Sequence, residues 1–167
     1  MALLVLLVGA ALLLAGCDLL EKQDDDGANA GPPEKDSAMA AVVIEGINAQ
    51  RTGRDLAALV ADDALNNAAA SYSCRMADED FFAHEDPQGQ QVDDRLRAAG
   101  IRFFLVGENL ARNENVQDPA TTAVEGWVAS PTHSENIFRP EFTHTGVGVC
   151  KIGRLVYFTQ LFTVPGD

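Results

Sequence analysis

The chain has 167 residues, enough for one domain with a core of its own. Its formal net charge is -13, which sets it against nucleic acid and anionic lipid head groups as partners. Hydrophobic residues make up 47% of the sequence, a share raised by an almost wholly apolar N-terminus.

Residues 1–16 form an apolar stretch of the length of a signal h-region, short for a membrane span. It ends in Leu14-Ala15-Gly16-Cys17, which resembles a bacterial lipobox. That resemblance implies removal of residues 1–16 and acylation of Cys17, giving a lipoprotein held at a membrane of the cell envelope, facing the periplasm or the exterior. Residues 17–36 are acidic and contain Gly and Pro, and they read as a flexible tether with nothing to build a core from. With Cys17 lipidated, Cys74 and Cys150 remain. In an oxidising compartment these two can pair; two separate buried thiols is the alternative.

The folded domain is expected from residue 37 to 167. Ala40, Val43, Ile44 and Ile47 recur at helical spacing, with Ser37 as the expected N-cap and Gly53 as the stop. A second helix starts at Leu56 or Asp62 and runs to Asp80, with a stripe of Leu65, Ala68, Ala69, Tyr72 and Met76. Its many alanines imply close packing against another element. Phe81 to Gln90 is a loop marked by Pro87 and Gly89, and Val92 to Gly100 is a short helix. Ile101 to Ala111 reads as a buried strand, interrupted by Glu108 and Asn109. Asp118-Pro119 and Ser130-Pro131 each pair an N-cap with a proline at the first helical position. His144 to Val164 gives two strands around a turn at Lys151 to Arg154. The order points to an α+β fold, with helices packed on a small antiparallel sheet.

A carboxylate in an apolar run is costly unless it is paired. The partners available to Glu108 are His84, in the loop, and His133, in the last short helix. A His–carboxylate pair would satisfy both groups. Two imidazoles and one carboxylate also make a possible metal set for zinc or magnesium, with a position open to water. Spacing alone leaves both readings open, because no local metal signature is present. Trp127 reads as a core residue, His144 as an edge residue and Asn109 as a tie for loop backbone. Gly146 and Gly148 read as sites of close packing.

"GENL" at 107–110, "WVASPTHSENIF" at 127–138, "TGVGV" at 145–149 and "YFTQLF" at 157–162 together resemble the bacterial form of the CAP superfamily. That group contains cysteine-rich secretory proteins, antigen 5 and class 1 pathogenesis-related proteins. "INAQR" at 47–51 and "FFAHEDPQG" at 81–89 are similar to the family's opening. The resemblance implies an α-β-α sandwich with a cleft lined by two His and two Glu. The loop His falls on His84 and the Glu of the G-E-N motif on Glu108. Tyr157 stands where the animal members have the second His, and Ser130 where they have the second Glu. Ser130 to His133 matches the S-P-x-H motif of bacterial members, so His133 can supply the second imidazole. The expected cleft is therefore His84, Glu108, His133 and Tyr157. The function implied is a non-enzymatic envelope module binding a divalent cation, an apolar ligand or a protein. The alternative is a metal-dependent hydrolase using His84, Glu108 and His133.

Overall fold

The computed structural model describes residues 31–167. The expected signal peptide, Cys17 and most of the tether lie outside the described residues. Five helices and five strands follow in the order β1 (Glu34–Lys35), α1 (Ser37–Thr52), β2 (Val60–Ala61), α2 (Asp63–Asp78), α3 (Val92–Ala98), β3 (Phe103–Glu114), α4 (Pro119–Ala129), α5 (Pro131–Phe138), β4 (His144–Ile152) and β5 (Leu155–Pro165). The strands form one sheet in the order β1-β4-β5-β3, with β2 also on the outer edge of β4. All pairings are antiparallel except that of β2 with β4. This is the expected α+β arrangement.

Alternation along β5 divides the core into two layers. Phe158 and Phe162 face α1, α4 and α5, where Val43, Ile47, Val124, Trp127, Ile137 and Phe142 bury. Tyr157 and Leu161 face the opposite way, toward α2 and α3. There they meet Tyr72, Met76 and Leu110 in one cluster and Leu65, Ala69 and Leu96 in another. Helices on both faces of the sheet make the α-β-α sandwich.

The alanine-rich α2 lies directly on β4. A Cβ added at Gly148 would fall on the backbone of Ala69 and Ala70, and one at Gly146 on the backbone of Leu65 and Asn66, each far inside van der Waals contact. Only glycine permits this approach. Ser73 Oγ then lies 2.9 Å from both Gly148 O and Thr159 Oγ1. Cys74 and Cys150 form a disulfide across the same contact, with Cα atoms 5.0 Å apart. On the other face, buried Arg51 donates to the carbonyls of Ala57, Ile137, Arg139 and Phe142. It thereby ties the end of α1 to the segment between α5 and β4.

Several expected boundaries move. Asp36, not Ser37, caps α1, because its carboxylate accepts from Met39 N at 2.8 Å. β1 falls inside the segment expected to be tether, since its backbone pairs with β4 at Cys150 and Lys151. Helix α2 starts after Asp62, the later of the two expected starts, and ends two residues before Asp80. Lys151 and Ile152 belong to β4 rather than the turn. The ladder closes at Ile152 and Leu155, and Gly153, at φ 55°, makes the reversal with Arg154. Among the described residues no helix is long and apolar enough to cross a membrane.

Candidate functional site: the cleft at the edge of β3

Strand β3 lies at the sheet edge, so side chains from both layers meet around its middle. Glu108 faces the α2/α3 layer. Its carboxylate is 2% exposed and holds two partners: His84 Nδ1 at 2.8 Å from Oε1, and Arg95 Nη2 at 2.6 Å from Oε2. The burial cost of the carboxylate is offset by these two charge-assisted contacts. Nothing in the sequence pattern points to Arg95. It stands on α3, thirteen residues from Glu108, in a helix whose one buried side chain is Leu96.

Arg95 also shapes the loop that carries His84. Its Nη1 donates to His84 O at 2.8 Å and to Gln90 O at 3.0 Å, and its guanidinium lies over the Tyr72 ring at 3.5 Å. The Tyr72 hydroxyl donates to Ala83 O at 2.7 Å. Burial pushes the Tyr72 phenol up to about 12, so it stays a donor at any physiological pH. Asp86 closes the far end of the loop: Oδ1 accepts from the N–H groups of Gln88 and Gln90, and Oδ2 from Arg75 at 2.6 Å. The loop holding His84 is thus pinned at both ends.

Asn109 faces the other layer and ties the strand to α5. Its amide donates to His133 O at 3.1 Å, and its Oδ1 accepts from Asn136 at 2.9 Å. Asn136 also donates to Glu108 O at 3.2 Å. Gly107 is required beside it, because a Cβ there would lie 2.9 Å from both Asn136 Oδ1 and Phe142 Cζ. Trp127 donates to Leu110 O at 2.8 Å, one pleat further on. These contacts place His133 at the cleft. Its Nδ1 lies 2.9 Å from Ser130 Oγ, so the hydroxyl of the helix cap steers the imidazole and makes no backbone cap. Burial first, and the charge of His84 second, hold the His133 pKa below its usual value. A protonated His84 thus disfavours protonation of His133.

Of the expected cleft residues, His84 and Glu108 are in direct contact, and His133 is held through its backbone carbonyl by Asn109, the next residue along β3. Tyr157 does not join them. Glu108 pairs across the sheet with Leu161, whereas Tyr157 pairs with Arg112, four residues further along both strands. It is buried under the Phe82 ring, against α2. His144 opens β4 on the far side of the sheet, beside Thr143.

The three residues do not fit a metal as a three-ligand set. Both oxygens of Glu108 are taken, and a cation at Oε2 would stand against the Arg95 guanidinium. Among the described residues no group of three or more His, Cys, Asp or Glu is arranged to hold a metal ion. The donors left are the two imidazole Nε2 atoms. With the carboxylate at His84 Nδ1, that nitrogen is the donor to Glu108, which leaves Nε2 as the ring atom turned away from it.

A family model for the cysteine-rich secretory protein family, CAP, matches residues 44–162. The chain belongs to the CAP family. An uncharacterised protein of Bacillus subtilis, YkwD, is 33% identical over 130 residues, which cover 78% of this chain and 49% of YkwD. The chain therefore spans about half the length of that relative. Among solved structures, an extracellular SCP-domain protein from Bacillus anthracis is similar with TM-score 0.70 and 28% identity, over 77% of this chain and 41% of that one. An outer surface protein from Borrelia burgdorferi has TM-score 0.71 and 21% identity, over 80% of this chain and 98% of its own. The second likeness speaks for the fold alone.

Proposed function

We propose that this CAP domain is exported, carried on an acylated Cys17, and acts in the cell envelope as a non-enzymatic binding module through the β3 cleft. Support for export comes from the lipobox-like Leu14 to Cys17 and from the likeness to an extracellular SCP-domain protein. The observation that carries the binding reading is the double engagement of Glu108. A hydrolase using Glu108 as general base or ligand needs one of its oxygens free. Here the carboxylate orients His84 and neutralises Arg95, so the cleft offers fixed imidazoles and no activated carboxylate. The ligand suited to such a pair is a divalent cation, zinc before magnesium because the donors are nitrogen. Two protein ligands make the binding weaker than that of structural zinc sites.

Calorimetric titration of zinc into the wild type and into a His84→Ala/His133→Ala double variant tests the cleft. The wild type should take up zinc and the double variant should not; equal heats from the two would defeat the reading. Glu108→Gln should retain zinc uptake, since Glu108 orients a ligand without being one. Mass spectrometry of the mature N-terminus tests the anchor: acylated Cys17 is expected, and an intact Met1 would refute it.

A further inference from the structure

The opposite edge of the sheet is closed only in part. The outer side of β4 is covered at its two ends by the two-residue strands β2 and β1. β2 pairs with His144 and Thr145, and β1 with Cys150 and Lys151. Between them, Val147 N donates to Asn66 Oδ1 at 2.9 Å, and Val149 O accepts from Asp36 N at 3.1 Å. The other two main-chain groups directed outward there, Val147 C=O and Val149 N–H, have no protein partner among the described residues. The reason is local. Asp36 would be the next partner in the β1 ladder, but its carbonyl turns into α1 and accepts from Ala40 N. These groups open into a groove of about 450 Å³ between the start of α1 and the middle of α2. Ala40, Ala41, Ile44, Ala61 and Ala70 form its apolar walls, with Asn66 and Asn67 of α2 as polar members.

We infer that this groove binds a short extended peptide, two or three residues long, with small uncharged side chains. An acceptor on residue 147 and a donor on residue 149 ask for complementary groups one residue apart. In parallel addition, a single extended residue opposite Gly148 gives its N–H to Val147 and its C=O to Val149. The protein already uses this edge twice in the same manner, through β1 and β2. Those strands also limit the guest, because a longer one would run into them. The alanine walls leave room for side chains of methyl to propyl size. At the rim Asp36 is paired with Lys151, and Lys35 lines the groove together with Glu45, so the local charge balances and an uncharged guest is favoured. The volume falls in the range of small-ligand pockets.

The test is an NMR titration of the ¹⁵N-labelled full chain with the blocked tripeptide acetyl-Ala-Ala-Ala-amide. The Val149 amide is expected to shift most. Three further peptides, each N-methylated at one alanine, then probe the donor. Methylation of the residue opposite Gly148 should weaken binding at least about tenfold, while another position is tolerated. Ala41→Phe, a change at an exposed helix position, should fill the groove and abolish the shift. No shift at Val149, or equal binding of all three methylated peptides, would overturn the proposal. The methylated series leaves the protein unaltered, so the outcome does not depend on the variant folding.

Discussion

The two edges of the sheet are finished by different means. At β3, side chains from α4 and α5 donate to strand carbonyls: Trp127 to Leu110 O, and Asn136 to Glu108 O. At β4, backbone closes most of the edge, through two strands of two residues each, with the Asn66 side chain accepting from Val147 N between them. Both arrangements blunt an edge that would otherwise invite another chain. Their consequences differ. Side-chain closure brings a whole helix to the edge, and with it His133, so one set of contacts both protects β3 and builds the cleft. Backbone closure brings only as much as the short strands reach, and it leaves the middle of β4 open above the glycines that let α2 approach.

The severest way to break this arrangement is at the β4 edge. Gly148→Ala drives a Cβ into the backbone of Ala69 and Ala70, which cannot swing aside as a side chain would. The expected cost is about 4 kcal/mol or more, which approaches the whole stability of a marginal domain. Urea denaturation checks this. Gly126→Ala on α4, with nothing within 4 Å of the added Cβ, is the contrast. It should be neutral or stabilise by about 0.5–1 kcal/mol.

Arg95→Met tests the cleft edge from the α3 side. It leaves the buried Glu108 with His84 alone and takes one donor each from the carbonyls of His84 and Gln90, which keep the Tyr72 hydroxyl and Asp86 N. A loss of about 3 kcal/mol is expected, since breaking one partner from a buried pair strands the other charge. Restoring charge balance with Glu108→Gln in the same chain should recover part of it. If Arg95→Met alone is neutral, Glu108 is not held as described.

How far can these features be read from the sequence? The helices with strong local signals are legible. Asp118-Pro119 and Ser130-Pro131 mark α4 and α5 because caps and prolines act within one turn. The hairpin is legible from its β-branched and aromatic run, and the alanines of α2 together with Gly146 and Gly148 announce a close contact. β1 and β2 are not legible, because two residues carry no periodicity. Arg95 escapes for a related reason. Its partners are set by where α3 and β3 come to lie, and an arginine on a short exposed helix looks like any solvated charge. Family position assigns Tyr157 to the cleft, whereas strand register puts it four residues away from the partner of Glu108. Glu108 is legible as a residue needing a partner; which partners it has is a tertiary fact.

Asn136→Leu sharpens the comparison at the β3 edge without touching a charge. The change removes donors to Glu108 O and Asn109 Oδ1, both facing the interior. The expected cost is about 2 kcal/mol, the scale of leaving buried acceptors unmet. The more telling readout is hydrogen exchange. Amides of α5 should lose protection while those of α2, on the other layer, keep theirs. A uniform loss across the domain would mean that α5 is not separately fastened to β3.

The smallest effect is a pH dependence confined to the cleft. Burial and the neighbouring charge of His84 hold the His133 pKa below the 6.5 of a free imidazole. Between those two values the unfolded chain binds more protons than the native one, so native stability falls as pH drops from about 6.5 toward the lowered value. Below it the penalty is constant, and above 6.5 it is absent. His133→Gln cannot titrate and keeps a polar group near Ser130, so its stability should lose this component. The difference between wild type and variant, from thermal unfolding at stepped pH, isolates His133 from the carboxylates that titrate lower. If the difference does not change across that window, His133 is not buried beside His84. The imidazole pair on which the proposed zinc binding rests would then not be assembled. A difference of the expected sign, with α5 still protected in hydrogen exchange, ties the titration to a cleft built by side-chain closure of the β3 edge.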